Sequence, residues 1–169
     1  MPATNSPTMT VAKQGDREIV MSREFDAPRE LVFKAMTDPL SIPKWWGRRK
    51  DTTVVDTMDV RPGGKWRFLT SAPDGDHAFR GEFREIVPPE RIVQTFEWEG
   101  LPGHISVETM VLEERGAKTL ITSTSVFDTK EDRDGMWDSG MESGARQTWD
   151  RLTELLSELQ RKVTTSRAT

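Results

Sequence analysis

A chain of 169 residues fits one domain and is short for two, since domains commonly run to about 100–200 residues. Charged residues make up 31% and hydrophobic residues 34%, and six Trp, seven Phe and eight Met supply bulk to bury, which excludes wholesale disorder. The net charge is −4 and the basic residues are scattered among carboxylates, which argues against nucleic acid as a partner; the absence of cysteine removes disulfides, thiolate metal sites and a thiol nucleophile.

Residues 1–16 contain Pro2, Asn5, Ser6, Pro7 and Gly15 and lack the apolar run of a signal peptide. No later stretch approaches membrane-spanning length, so the expectation is a soluble, cytoplasmic protein with no membrane partner. Residues 1–16 and 161–169, rich in Ser, Thr or Ala, are expected to be flexible tails flanking a ligand-binding domain at 17–160.

The first organised segment, 17–25, places Ile19, Met21 and Phe25 at period two and reads as a strand. Pro28 can open a helix in which Leu31, Val32, Ala35 and Met36 recur at helical spacing; Asp38-Pro39 stops it, and a second short helix follows, closed by Gly47. Six strands come next, at 52–60, 65–71, 77–87, 91–99, 104–113 and 118–127, separated by turns such as Arg61-Pro62-Gly63-Gly64 and Pro73-Asp74-Gly75-Asp76. Their spacing suits an antiparallel meander. The last element, 131–160, shows Met141, Thr148, Leu152, Leu155 and Leu159 on one face and predicts a long amphipathic helix.

Strand alternation separates the two faces of the sheet. Trp66 and Phe68 oppose Lys65, Arg67 and Leu69; Phe79 and Phe83 oppose Arg80, Glu82 and Arg84; Ile92, Phe96 and Trp98 oppose Val93, Thr95 and Glu97. In the next strand Ile105, Val107 and Val111 are assigned to the apolar face and Ser106, Glu108 and Met110 to the polar one. The first and last strands are ambiguous, with Arg23 falling in register with Met21 and Phe25. The apolar face needs a cover, which the C-terminal helix supplies. Gly140 and Gly144, one turn apart in that helix, have two readings: close packing of backbone on sheet, or small residues that leave a cavity beside Trp66, Trp98, Trp137 and Met141.

The chemistry-bearing residues are few. His77 and His104 read as solvated loop-edge side chains, Asp132, Asp134 and Asp138 as complements to a helix dipole, and Arg61-Pro62-Gly63-Gly64-Lys65 as a hairpin turn that lacks the helix a phosphate loop requires. No catalytic residue, metal site or cofactor is assigned. Of Trp45-Trp46, one Trp packs under the short helices, and Trp46 is placed at the cavity entrance in the functional reading.

Phe25-Asp26-Ala27-Pro28, Leu31-Val32-Phe33-Lys34-Ala35, Lys44-Trp45-Trp46-Gly47, the stretch from Asp59 to Arg67, Pro88-Pro89-Glu90-Arg91-Ile92-Val93, and Gly140-Met141 leading to Asp150-Arg151-Leu152 occur in that order. Together they resemble the bacterial homologues of the activator of the heat-shock-protein-90 ATPase, a branch of the START-like (SRPBCC) superfamily that includes birch-pollen allergen and lipid-transfer domains. The resemblance implies an α+β helix-grip fold: a curved antiparallel sheet of about seven strands gripping a long C-terminal helix, two short helices after the first strand, and a cavity between sheet and helix. The family often carries an aromatic residue near Ala145, where a small residue would enlarge the cavity or shift its mouth. The activator that gives the family its name has an additional N-terminal domain, for which this chain has no room.

The function expected is binding of a small hydrophobic, ring-containing molecule, with Trp46, Trp66, Phe68, Phe83, Phe96, Trp98, Trp137, Met141 and Gly144 as ligand contacts. The alternative is a chaperone-interacting module tied to the stress response, and a further one is a START-like cyclase or hydrolase. The resemblance also admits a homodimer.

Overall fold

The computed structural model describes the backbone of residues 9–168 and the side chains of residues 9–162. In chain order the elements are β1 (Thr10–Gln14), β2 (Glu18–Phe25), α1 (Arg29–Thr37), α2 (Ile42–Trp45), β3 (Thr52–Met58), β4 (Lys65–Ala72), β5 (Gly75–Val87), β6 (Arg91–Trp98), β7 (Ile105–Arg115), β8 (Lys118–Phe127), α3 (Lys130–Asp138) and α4 (Met141–Ala168). The strands form a single eight-stranded antiparallel sheet in the order β1-β2-β8-β7-β6-β5-β4-β3. Hairpins link β3 through β8 as a meander, while α1 and α2 carry the chain from β2, near one edge, to β3 at the other. This is the α+β helix-grip architecture, with eight strands where about seven were expected.

Local chemistry sets the boundaries. Asp38 ends α1 in an extended conformation (φ −96°, ψ 118°), as a residue ahead of proline must. The Thr129 side chain caps α3 by accepting from the backbone N–H of Asp132 at 3.0 Å. Register shifts between Val55 and Thr57 in β3 and between Phe83 and Glu85 in β5 interrupt the ladders and bend the sheet around the helix.

Three expectations are corrected. Thr10–Gln14, assigned from the sequence to the flexible N-terminal tail, is an edge strand paired with β2. It is short and polar, so no apolar alternation announces it; its backbone pairs with β2, and the Arg133 guanidinium anchors the turn between them by donating to the carbonyls of Gly15 at 3.0 Å and Glu18 at 3.1 Å. The helix expected at 131–160 is two helices, because Gly140 takes φ +85°, a left-handed value that ends α3 and lets the chain turn into α4. At the other end α4 continues to Ala168, through the segment assigned to the C-terminal tail. Residues 1–8 and 169 of the two expected tails lie outside the described residues.

The gap between sheet and helix is packed unevenly. Along the middle of α4, the buried side chains of Trp149, Leu152, Leu155 and Leu156 join Phe25, Ile92, Leu112 and Ile121 of the sheet and Val32 and Met36 of α1 in one core. Phe25 meets Trp149 edge to face at 5.5 Å. Arg23, ambiguous in the sequence, points inward: it is 5% exposed, lies 5.4 Å from the Phe25 ring centroid and donates to Asp150 of α4 at 2.6 Å. The first two turns of α4 instead present Met141, Gly144, Ala145 and Thr148 to an open space between helix and sheet.

Among the described residues no helix is long and apolar enough to cross a membrane. Because Leu152 is fully buried at the packed end, Leu152→Ala is expected to cost about 2–5 kcal/mol, read as a fall in the urea midpoint.

Candidate functional site: a cavity with an aromatic belt and a polar floor

The uneven packing leaves a cavity of about 500 Å³ between the sheet and the first turns of α4. Trp66 and Phe68 of β4, Phe79 and Phe83 of β5, and Phe96 and Trp98 of β6 enter it from alternate positions of their strands, as the parity of those strands predicts. Trp46, just past α2, joins them. The rings form a closed belt: Trp46 to Phe68 at 5.2 Å, Phe68 to Trp66 at 4.8 Å, Trp66 to Phe96 at 6.1 Å, Phe96 to Phe79 at 5.6 Å, and Phe79 back to Trp46 at 5.2 Å. Gly81 lets the Trp66 indole lie against the sheet, since a Cβ there would overlap both the indole and the Thr95 carbonyl.

Backbone anchors hold Trp46 in the belt. Its N–H caps α2 by donating to the Ile42 carbonyl at 2.9 Å, and its own carbonyl accepts from the Thr53 hydroxyl at 2.7 Å. The Arg151 guanidinium reaches out from α4 to the carbonyls of Gly47 at 3.0 Å and Lys44 at 3.2 Å, pinning the loop after α2 to the helix. Trp45 has the structural role: it is 5% exposed and its indole N–H donates to the Ala35 carbonyl at 3.0 Å.

Of the nine contacts named from the sequence, Trp46, Trp66, Phe68, Phe83, Phe96, Trp98, Met141 and Gly144 line the cavity. Trp137 does not. It belongs to α3, the helix that Gly140 turns away from α4, and its ring lies 5.6 Å beneath the Lys13 ammonium of β1. Gly144 has room for a side chain: a Cβ built there would make ordinary contact with the flexible stem of Arg48, at 3.7 and 4.0 Å. Gly140, placed inside a helix by the sequence, is instead the turn residue between α3 and α4.

The assignment of β7 is reversed. Ser106, Glu108 and Met110 face the cavity, while Ile105, exposed at 39%, lies on the convex side. With Gln94 of β6 and Ser123 and Ser125 of β8 they make a polar floor beneath the aromatic belt. Gln94, Glu108 and Ser125 are direct cross-strand partners in one row across three strands. The Gln94 amide nitrogen donates to Glu108 Oε1 at 3.1 Å. Surrounding protein pushes the Glu108 carboxyl up to about 7, because burial penalises its charged form more than the Gln94 bond favours it. One signal for this floor was present in the sequence, where Gln94 shares the parity of Ile92, Phe96 and Trp98.

The mouth carries the remaining charge. Arg48 binds Asp51 through two bonds of 3.0 Å and approaches Asp74 at 3.5 Å, and His77 stands 3.3 Å from the same Asp74 carboxylate. A backbone N–H and the His77 bond hold the Asp74 carboxyl below the usual range. His104, expected to be solvated, is about half exposed yet bonds Asp132 of α3 at 2.7 Å. Among the described residues no three His, Asp or Glu gather closely enough to hold a metal ion.

The model of the family described as activator of Hsp90 ATPase homolog 1-like protein matches residues 26–157. A solution structure of a protein from Arthrobacter aurescens aligns with a TM-score of 0.82 at 26% identity, covering 88% of this chain and 91% of that one. A crystal structure of a protein from Chromobacterium violaceum aligns with a TM-score of 0.75 at 27% identity, over 84% of this chain and 98% of that one. A crystal structure of a protein from Rhodobacter sphaeroides, with a TM-score of 0.83 over 89% of this chain and 99% of that one, is 20% identical and shares the fold. None of the curated proteins compared with the chain matches it.

Glu108 ties stability to pH. Folding raises its pKa from 4.5 to about 7, so the native state binds the proton more tightly than the unfolded chain; the resulting stabilisation is full below 4.5 and is lost as pH rises to about 7. Glu108→Gln is expected to abolish this loss, so that the variant gains on the parent by up to about 1.4 kcal/mol per pH unit across that window, measured as urea midpoints.

Proposed function

The chain belongs to the family of activator of Hsp90 ATPase homolog 1-like proteins, and on that premise we propose that it binds a small apolar, ring-containing molecule reversibly between sheet and helix, without covalent catalysis. The supporting observation is the contiguous wall of five mutually contacting aromatic rings that lines a cavity of about 500 Å³. Ligand pockets commonly measure about 300–1,000 Å³ and are mostly apolar with a few placed polar groups. A planar ring packed against this wall exchanges water for aromatic edges and faces, and each Å² of its apolar surface removed from water contributes about 25 cal/mol. Trp46, Trp66, Phe68, Phe83, Phe96, Trp98, Met141 and Gly144 are the contacts proposed.

The family description also favours a second reading, that the chain acts on a chaperone ATPase. Stimulation of such an ATPase by this protein, unaffected by changes in the belt, would support that reading against the first.

The test combines binding with Gly144→Leu. Titration with naphthalene is expected to change the tryptophan fluorescence of the parent protein, since Trp46, Trp66 and Trp98 border the cavity. Gly144→Leu is expected to abolish that change while keeping or raising the urea midpoint, because the new Cβ overlaps nothing and glycine is the poorer helix former by about 1 kcal/mol. A loss of about 1–3 kcal/mol in stability, or undiminished binding, would count against the cavity as the site.

A further inference from the structure

A ring satisfies the aromatic belt but leaves the polar floor beneath it without a partner, and the chemistry of that floor specifies a second part of the ligand, provided that the cavity is a ligand site. Glu108 sits in the middle of the floor, flanked by Gln94 on β6 and Ser125 on β8. Gln94 donates its amide N–H to Glu108 Oε1 and is the carboxyl's one side-chain partner among the described residues, leaving Oε2 to the cavity. With its nitrogen committed to Glu108, Gln94 turns its own Oε1 away from that bond, and Ser106, Ser123 and Ser125 add hydroxyl oxygens nearby. The floor is therefore rich in acceptors.

It has no positive charge of its own. The other ionisable residues lining the cavity are Arg48, Asp51, Asp74 and His77, all at the mouth, where Arg48 is held by Asp51 and Asp74 and His77 by Asp74. Arg23, on the inner face of neighbouring β2, is bound to Asp150. The shift of Glu108 traces to burial and to Gln94, and among the described residues no cation forms an ion pair with it. A carboxylate without a counter-charge, in a cavity walled by aromatic faces that also attract cations, lacks a cationic partner.

We propose that the cavity selects ring-containing amines, the ring held in the belt and the protonated nitrogen donating to Glu108 Oε2 and Gln94 Oε1. An anionic ligand such as a fatty acid is disfavoured, since its carboxylate would face Glu108 with no cation on the floor. Protonation of Glu108 removes the charge that the ammonium needs, so amine affinity rises with pH through about 7.

The test uses 1-naphthylmethylamine and its uncharged isostere 1-ethylnaphthalene, titrated into the full chain by calorimetry. Glu108→Gln is expected to weaken the amine by about tenfold or more and to leave the hydrocarbon within about twofold. Should that variant fail to fold, the parent protein still decides the matter: amine affinity must increase between about pH 5 and pH 8 while that of the hydrocarbon stays flat. Binding of the hydrocarbon with an amine affinity indifferent to both the variant and pH overturns the anchor alone. Binding of neither compound overturns the ligand-site reading, and the anchor with it.

Discussion

The structure depends on one mechanical fact: α4 is clamped to the sheet along its middle and held off it at its start. Trp149, Leu152, Leu155 and Leu156 are large enough to fill the gap against Phe25, Ile92, Leu112 and Ile121, and they fix the helix at a set height above the strands. One turn toward the N-terminus the side chains shrink to Thr148, Ala145 and Gly144, and the same height leaves a void. The cavity is thus a product of contrast in side-chain volume along one helix, and Arg23 and Arg151 keep that contrast from collapsing by tying α4 to β2 and to the loop after α2.

A void lined only with apolar groups would need no further account. This one has Glu108, Gln94 and three serines on its floor. Burying a carboxyl is costly while it is charged, and the protein meets the cost in part with Gln94 and in part by raising the carboxyl's pKa until protonation competes near neutrality. Elsewhere the sheet treats carboxylates differently. On the convex face Glu99 and Glu97 are paired with Arg67 and Arg80, and both are held below the usual carboxylate range by those bonds. The two faces therefore use the same side chain in opposite electrostatic settings, paired and ionised outside, uncompensated inside.

Membership of the family accounts for the sheet and the helix it grips, and the shared fold with proteins of 20–27% identity shows how much sequence change that frame tolerates. It does not by itself specify what the gap holds, since function resides in the site and not in the frame. The contents of the gap are set by the residues on its floor and by Trp46, whose carbonyl is bonded by Arg151 and Thr53.

The sequence by itself determined the order of the elements from β2 to β8, the C-terminal helix as cover, and the aromatic sets on β4, β5 and β6. These follow from period-two and helical spacing, which are local. It did not reveal β1, because that strand is short and polar and its turn into β2 is anchored by Arg133, 115 to 119 residues away. The break at Gly140 was hidden because glycine is compatible with a helix interior or with its end, and only the chain's path decides which. Trp137 was lost from the site for the same reason. The decisive miss was β7: alternation divides a strand into two faces without saying which is inner, and the valines of its convex side masqueraded as core. Register resolved this. Once Glu108 is paired with Gln94 on one side and Ser125 on the other, three polar residues far apart in the sequence become a single row on the cavity floor, an alignment that strand pairing alone creates.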